Sequence, residues 1–363
     1  MCKKLFIAAT AQHCGKTTIS LSLMHLARQR YGRVGYIKPL GPKCQEFRGV
    51  VADKDAVLMA QVFGLEDRIA LMSPLVLAKG ATKRFLDGEL QREWAAEKIM
   101  TAVKTLESEC DLLLIEGAGH GGVGSVIGLN NAEMARMLDT PVVMVAGGGI
   151  GSVVDSVRLN LALYAEQGVD VRMLLVNKLL ADKRAASLAY LEKYFSDKGI
   201  QVCGAFDYSS VLADPTLQGV SKLLGGPLLG DLSKRQRIIH HIQLGAASSQ
   251  KVIDHLKEST LLVTTSSRDE LLVTLSSLYN IPAYHALIAG VVIPGHAPVS
   301  PITQRIIDDS GIPHIRVEEN TAEAFMALSS HVSKISAEDG EKIALITSQA
   351  EQVIDFDAID RIF

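Results

Sequence analysis

The first residues with chemical promise lie near the N-terminus, where the apolar run LFIAA (5–9) opens into TAQHCGKTT (10–18). Gly15-Lys16-Thr17 at the head of a helical pattern, directly after a buried strand, is the context that a phosphate-binding loop requires. Backbone N–H groups of such a loop and of the helix N-terminus form a nest for anions, and Gly15 lets the chain approach a phosphate closely. Lys16 would reach the β- and γ-phosphates, and the hydroxyl of Thr17 would ligate Mg²⁺. The full spacing G-x-x-x-x-G-K-[ST] asks for glycine at position 10, where this chain has Thr10. Thr10, His13, Cys14 and Thr18 complete the stretch expected to surround the phosphates. Cys14 reads as a small loop filler more simply than as a redox-active thiol.

Further along, LLLIEGAGHGG (112–122) is an apolar strand that ends in Glu116 and runs into glycines. A carboxylate at the C-terminal edge of a parallel sheet can coordinate Mg²⁺ or orient water beside a phosphate loop, and Gly117 and Gly119 admit phosphoryl oxygens. The plainer alternative is a tight strand-to-helix turn. DKDA (53–56) offers Asp53 and Asp55 where a helix begins. Either can reach a metal from there, or serve as a charge suited to the helix dipole. Lys38, in GYIKP (35–39), ends another strand from which it can reach the same phosphates. Asn177 closes the strand MLLVN (173–177), where a carboxamide can read an adenine edge through one donor and one acceptor. Lys16 and Lys38 are the expected catalytic cations, and Thr17, Glu116 and either Asp53 or Asp55 the expected oxygen donors to a metal.

These residues need strands that end at one common edge. LFIAA, GYIKP, LLLIE, PVVMVA (141–146) and MLLVN are unbroken apolar runs of the kind found in strands covered on both faces. Between them, apolar residues recur at helical spacing, as in Ile19, Leu23, Leu26 and Ala27, or Val157, Leu161 and Tyr164. The alternation predicts an α/β fold, a P-loop NTPase-type mainly parallel sheet with flanking helices. Near residue 205 the texture changes, and ADPTLQGVSKLLGGPLLGD (213–231) breaks the periodicity as a domain junction does. The expected division is a P-loop domain over 1–207 and a second, smaller α/β domain over 208–363. In the latter, LLVTT (261–265), GVVIP (290–294), PHIRV (313–317) and KIALI (342–346) read as strands. Ser267 with Glu270 and Asn320 with Glu323 stand at capping-box spacing.

Composition excludes several classes. With 37 basic and 40 acidic residues, the formal net charge is -3, so bulk charge gives no grip on nucleic acid or an anionic membrane. The five cysteines, at 2, 14, 44, 110 and 203, form no C-x-x-C pair, so neither a disulfide framework nor a zinc ribbon is indicated. The apolar stretch after Lys3 and Lys4 is too short for a secretory signal, and no run is long enough to span a bilayer. A cytoplasmic, reduced setting is the expectation.

Taken in order, ATAQHCGKT (9–17), GYIKP, the acid of DA (55–56), IEGAG (115–119), PVVMVAGGGIG (141–151) and VNK (176–178) resemble dethiobiotin synthetase and its relatives, a P-loop class that includes cobyrinic acid a,c-diamide synthase. The resemblance covers residues 1–207. The second half resembles the DRTGG domain through TTSSRDELLVTLSS (264–277) and VVIPGHAP (291–298). The tandem resembles the N-terminal part of long-form phosphate acetyltransferases, whose acetyltransferase domain is expected beyond residue 363. The resemblance implies that Lys16 and Lys38 contact phosphates, that Thr17, Asp55 and Glu116 surround Mg²⁺, and that Asn177 meets the adenine of ATP. It also implies a homodimer and a small-molecule substrate or effector that the sequence does not identify. In the synthetase, ATP phosphorylates a carbamate made from a diamine and CO₂, and ring closure expels phosphate.

There are departures. Ala9 stands for the first glycine of the family loop and Ala11 for its usual aspartate; LGPKCQEF (40–47) does not match the substrate loop. Ala11 also stands where partition and septum-placing ATPases carry a second lysine. In the DRTGG-like half, Ser267-Arg268 replaces Asp-Arg and Pro294-Gly295 replaces Gly-Gly. No cysteine follows Cys203, so a glutaminase half is excluded. His240-His241, read as adjacent residues of a helix, point apart and suit a surface better than a metal. Two functions remain open: an ATP-dependent ligase that activates a carboxylate or carbamate, and a regulatory nucleotide-binding module that senses a metabolite or docks an acyltransferase.

Overall fold

The computed structural model describes residues 2–363. By contact it divides into two units, one running to Tyr208 and resuming at Gly340–Phe363, the other Ser209–Asp339.

The first unit is built on β1 (Lys3–Ala9), β2 (Val34–Ile37), β3 (Leu112–Glu116), β4 (Val142–Gly147), β5 (Val171–Leu179) and β6 (Gln201–Asp207). They form a parallel sheet in the order β6-β5-β4-β1-β3-β2. Its helices are α1 (Lys16–Arg30), α2 (Lys54–Phe63), α3 (Arg92–Glu109), α4 (Asn131–Met137), α5 (Ile150–Glu166) and α6 (Arg184–Ser196). The apolar runs are unbroken because both sheet faces are covered. Phe6, Leu113, Ile115, Val142 and Met144 join a core with Ile99 of α3, Ala132 of α4, Val157 of α5 and Phe195 of α6. Helix α1 packs against β1, β2 and β3 and against a C-terminal helix, Gly340–Val353. Between β2 and α2 the chain makes a hairpin, Cys44–Phe47 with Val50–Asp53, turned at Arg48 and Gly49 with φ of 49° and 76°. Positive φ at both turn residues suits the twist of a two-residue hairpin.

Register fixes the functional edge. Ile7 pairs with Glu116, Ile37 with Ile115, Ala9 with Val145, and Gly147 with Asn177. All these strands therefore end together, and β1 lies between β3 and β4, where the strand order reverses. Open parallel sheets bind ligands in the crevice at such a reversal.

The second unit is an α/β sheet in the order β7-β11-β10-β9-β8, from β7 (Leu228–Leu229), β8 (His241–Leu244), β9 (Thr260–Val263), β10 (Ile288–Pro294) and β11 (His314–Val317). Only β7 is antiparallel. On one face α7 (Leu217–Leu224) and α10 (Thr321–Ser330) pack with Leu261 and Val292, and on the other α8 (Asp269–Tyr279) and α9 (Pro301–Ser310) pack with Leu262 and Val291. The capping box of Asn320 and Glu323 is formed. Arg237 is the central tie of this unit: its guanidinium donates to the carbonyls of His285 (2.9 Å), Ile288 (2.8 Å) and Ala286, and to Ser259 Oγ (3.2 Å).

Four sequence expectations are corrected here. KIALI is helical, because Lys342, Ile346 and Ala350 are buried at helical spacing and a five-residue apolar run does not discriminate helix from strand. Residues 340–363 belong with the first unit rather than the second. After the C-terminal helix, Ile354 bridges the free edge of β6 at Gly204, and the Asp355 N–H donates to the Cys203 carbonyl at 2.9 Å. Asp360 then accepts from Lys3 at 3.0 Å and from Tyr31, and Arg30 pairs with Asp357 and Asp360. Ser267 does not cap: α8 starts at Asp269, and Glu270 instead accepts from Arg268 at 2.5 Å. His240 and His241 are not helical; His240 Nδ1 lies 2.8 Å from Asp214 Oδ2, and His241 begins β8. No helix among the described residues is long and apolar enough to cross a membrane.

Two outcomes follow from these ties. Truncation after Asp339 uncovers the edge of β6 and should lower the first unit's calorimetric midpoint by roughly 5 °C or more, with increased aggregation. Arg237→Met removes the side-chain donor to the half-buried His285, exposed Ala286 and buried Ile288 carbonyls and should destabilise the second unit by about 1–2 kcal/mol in urea unfolding; an unchanged midpoint would show that those bonds contribute nothing net.

Candidate functional site

The loop after β1 begins with the Thr10 N–H donating to the Val145 carbonyl at 2.9 Å. It turns through His13 (φ 60°) and Gly15 (φ 94°) into α1. Gly15 caps α1 with no side-chain bond, and the first turn carries no acid. The helix thus presents its positive end and its first N–H groups to an anion. A side chain at Gly15 would meet Asn177 Nδ2 at 1.9 Å, so glycine is required by both conformation and space. Thr10 and Cys14 face inward, with Cys14 Sγ 3.6 Å from Thr10 Oγ1. Both therefore fill the loop. Lys16, Thr17 and Thr18 form the first turn of α1. Lys16 is nearly buried and donates to the Gly119 carbonyl. Burial pushes its pKa down, while Glu116 opposes the shift.

Lys38, immediately after β2, is 3% exposed. Its ammonium donates to Glu116 Oε1 at 2.9 Å and to Asp55, and lies 3.7 Å from Asp53 Oδ1. Burial alone would lower its pKa, but the fields of Glu116, Asp55 and Asp53 outweigh burial and raise it. Glu116, wholly buried at the end of β3, accepts from the Tyr36 hydroxyl at 2.9 Å through Oε2. Burial, then the nearby carboxylates, holds the Tyr36 phenol well above its ordinary range.

Asp53 and Asp55 have separated roles. Asp53 is the N-cap of α2: Oδ1 accepts the Asp55 N–H at 2.9 Å and Oδ2 the Lys43 N–H at 3.2 Å. Burial raises its pKa despite the field of Lys38. Asp55 points to Lys38 from the first turn of α2, so the structure brings Asp55, Lys38, Glu116 and Lys16 together. Three carboxylates face Lys38, leaving net negative charge that a hard cation would balance. Oxygen donors from Thr17, Asp55 and Glu116 suit Mg²⁺, which commonly takes one or two carboxylates and completes its shell with water and phosphate. Among the described residues, no group of three or more His, Cys, Asp or Glu that could hold a metal ion is found.

Asn177 sits beneath the loop. Its Nδ2 donates to the Cys14 carbonyl at 2.9 Å and its Oδ1 accepts the Lys178 N–H at 2.9 Å. One hydrogen and one lone pair of its carboxamide are thus engaged by backbone in this structure. Gly117 allows close packing, since a Cβ there would lie 2.7 Å from Asn131 Oδ1 and 2.9 Å from the Phe6 ring.

Several site residues escaped the sequence reading. Asn131 accepts from the Ala118 N–H and donates to the Ala118 and His120 carbonyls, pinning the loop after Glu116. Asn160 of α5 donates to the Thr10 carbonyl at 3.1 Å, and Lys178 to the His13 carbonyl at 2.8 Å. Tyr36 lay inside GYIKP, and a hydroxyl within an otherwise apolar strand was the available signal.

Comparison with known proteins agrees with this architecture. Residues 3–216 match the model of the AAA domain family AAA_26, and residues 220–331 match that of the DRTGG domain. Phosphate acetyltransferase from Haemophilus influenzae is 22% identical over 100% of this chain and 53% of its own length. The chain spans about half the length of the curated phosphate acetyltransferases it matches. An ATP-dependent dethiobiotin synthetase from Pseudomonas aeruginosa is 30% identical over 41% of this chain and 65% of its own length. The MinD cell division protein of Aquifex aeolicus, a solved structure, aligns at 17% identity with a TM-score of 0.35 over 58% of this chain and 84% of that one, too low a score to argue from. The loop at the sheet's reversal point and the family match over more than half of the sequence agree: this chain belongs to the AAA_26 family of P-loop domains and carries a DRTGG domain after it.

Proposed function

We infer that the first unit binds ATP with Mg²⁺ and transfers the γ-phosphoryl group to a carboxylate or carbamate oxygen, as an ATP-dependent ligase. The observation that carries this reading is the convergence of Lys16 and Lys38 with Asp55 and Glu116 at one sheet edge. A second cation beside the phosphate loop can stabilise charge on an acceptor as well as on the nucleotide. The loop N–H groups and Lys16 would grip the phosphates, with Lys16 exchanging the Gly119 carbonyl for phosphate oxygens. Thr17, Asp55 and Glu116 would hold Mg²⁺, which when bound supplies neutralising charge to the phosphates. Lys38 would leave its carboxylate partners for the acceptor's oxyanion and steady the charge that develops during transfer. The acceptor oxygen bonds to the γ-phosphorus as the bond to the β–γ bridging oxygen breaks and ADP leaves. An amine nitrogen then attacks the activated carbonyl carbon and expels inorganic phosphate.

A second reading has its own support. The end-to-end match with phosphate acetyltransferases extends through the DRTGG domain, which favours a nucleotide-responsive module serving an acyltransferase. ATP turnover with and without a diamine plus bicarbonate separates the two. Stimulated turnover that Lys38→Ala lowers by about 100-fold or more while ATP binding persists supports the ligase. Turnover indifferent to the acceptor and to Lys38 supports the module. Under both readings, Lys16→Ala should weaken ATP·Mg²⁺ binding by about tenfold or more in calorimetry, and equal affinity would remove the nucleotide site itself.

The carboxylate cluster has a separate readout. Lys38→Met leaves buried Glu116 and Asp53, and half-buried Asp55, without the Lys38 charge and should cost roughly 3 kcal/mol or more in denaturant unfolding. Millimolar Mg²⁺ should return more of that loss than it adds to the wild type. Equal response of both proteins to Mg²⁺ would mean that the cation does not bind at these acids.

A further inference from the structure

Away from the phosphate loop, the sheet brings two thiols together. Cys2 directly precedes β1, and Cys110 directly follows α3, two residues before β3. Lys3 pairs with Leu112 in parallel register, and the Lys3 N–H donates to the Asp111 carbonyl at 2.9 Å. Cys110 is therefore diagonal to Cys2, and their Sγ atoms lie 3.4 Å apart. Neighbouring strands about 4.8 Å apart with a one-residue stagger of about 3.3 Å place such Cα atoms about 6 Å apart, inside the window a disulfide tolerates. Gly35 leaves the space for this pair, since a Cβ there would lie 3.1 Å from Cys110 Sγ. Cys2 is half-buried and reachable, whereas Cys110 is 8% exposed and bonded to the Leu106 carbonyl at 3.0 Å. One thiol meets solvent and the other waits behind it.

We propose that Cys2 and Cys110 form an oxidative modification site, at which a low-molecular-weight disulfide of the glutathione type is reduced and an intramolecular Cys2–Cys110 bond is made. Cys2 loses its proton and its sulfur attacks the small disulfide. That S–S bond breaks, the departing half takes up a proton, and Cys2 carries the other half as a mixed disulfide. Cys110 then attacks Cys2 Sγ and expels the second small thiol, which leaves with the Cys110 proton. Two protein thiols are oxidised and one external disulfide becomes two thiols.

The order of attack has a physical basis. Cys2 meets solvent first, while the buried Cys110 thiol donates to the Leu106 carbonyl and touches Cys2. The contact between the two sulfurs draws the Cys2 thiol below its ordinary range, and that contact, followed by burial, raises Cys110, so Cys2 attacks first and Cys110 second.

The test uses the full chain, reduced, then incubated with oxidised glutathione and mapped by mass spectrometry without reduction. A linked pair of peptides carrying Cys2 and Cys110, the loss of these two free thiols besides any adduct at the exposed Cys44, and reversal by dithiothreitol are expected. In Cys110→Ser, Cys2 should accumulate as a stable glutathione adduct; in Cys2→Ser, Cys110 should stay unmodified. The wild type and Cys2→Ser carry the test even if the buried Cys110→Ser change prevents folding. A wild-type protein that retains Cys2 as free thiol or as a lasting glutathione adduct overturns the proposal, as does a Cys110 that reacts fully in Cys2→Ser.

Discussion

The buried ammonium of Lys38 organises the functional edge of the first unit. Lys38 is delivered by the end of β2, Glu116 by the end of β3, and Asp53 and Asp55 by the start of α2. Each group would be costly to bury by itself, and the loss of any partner leaves the others under-compensated. The cluster therefore couples two neighbouring strand ends to a helix that reaches them only after a hairpin. Tyr36 completes it by donating to the Glu116 oxygen that Lys38 does not use. An apolar cluster of the same volume would hold these elements at least as well. Retaining four ionisable side chains in a dry site is thus better explained by chemistry than by stability.

Around that cluster, the loops are held by side chains that bond to main chain. Asn160 and Lys178 fix the phosphate loop at Thr10 and His13, Asn177 supports Cys14, and Asn131 clamps residues 118–120. Gly15 and Gly117 allow these carboxamides to approach the backbone closely. The loops reach the common edge already shaped, which limits the ordering cost when phosphate arrives. Here lies the constraint on Asn177. One Nδ2 hydrogen and one Oδ1 lone pair support the loop, so a base would have to be met with the carboxamide's remaining donor and acceptor.

What could be read in advance follows the range of each interaction. Unbroken apolar runs betray doubly covered strands, and Gly15-Lys16-Thr17 after one of them marks the phosphate loop, because both signals are local. Asn131 and Asn160 carried no such signal. Asn160 meets the Thr10 carbonyl across 150 positions of sequence, and an asparagine on a helix looks like any polar surface residue. KIALI misled because a short apolar run fits a strand as well as a helix whose other positions are polar. The return of residues 340–363 to the first unit was hidden for a related reason: the partner of Ile354 is the edge of β6, some 150 residues earlier. Ser267 and Glu270 stood at capping distance, but Arg268 captured the glutamate first.

The second unit shows by contrast what makes the first a site. Its parallel strands also end at one edge, yet the cations there are committed to main chain. Arg268 donates to the Gly245 and Ala247 carbonyls, and Arg316 to those of Gly295 and Ala297. Arginine used in this way ties loops together and leaves little charge for a transferring phosphoryl group. The carboxylates of the unit are capping or paired at the surface, as Glu323 and Glu270 are, rather than gathered around a buried cation. The same layered architecture therefore carries a preorganised electrostatic centre in one unit and, in the other, an edge whose arginines mainly tie loops, with Arg316 Nη1 left as a buried donor without a partner among the described residues. That difference sets the two edges apart: the first suits nucleotide phosphates, as its family match implies, and the shared architecture by itself assigns no chemistry to the second.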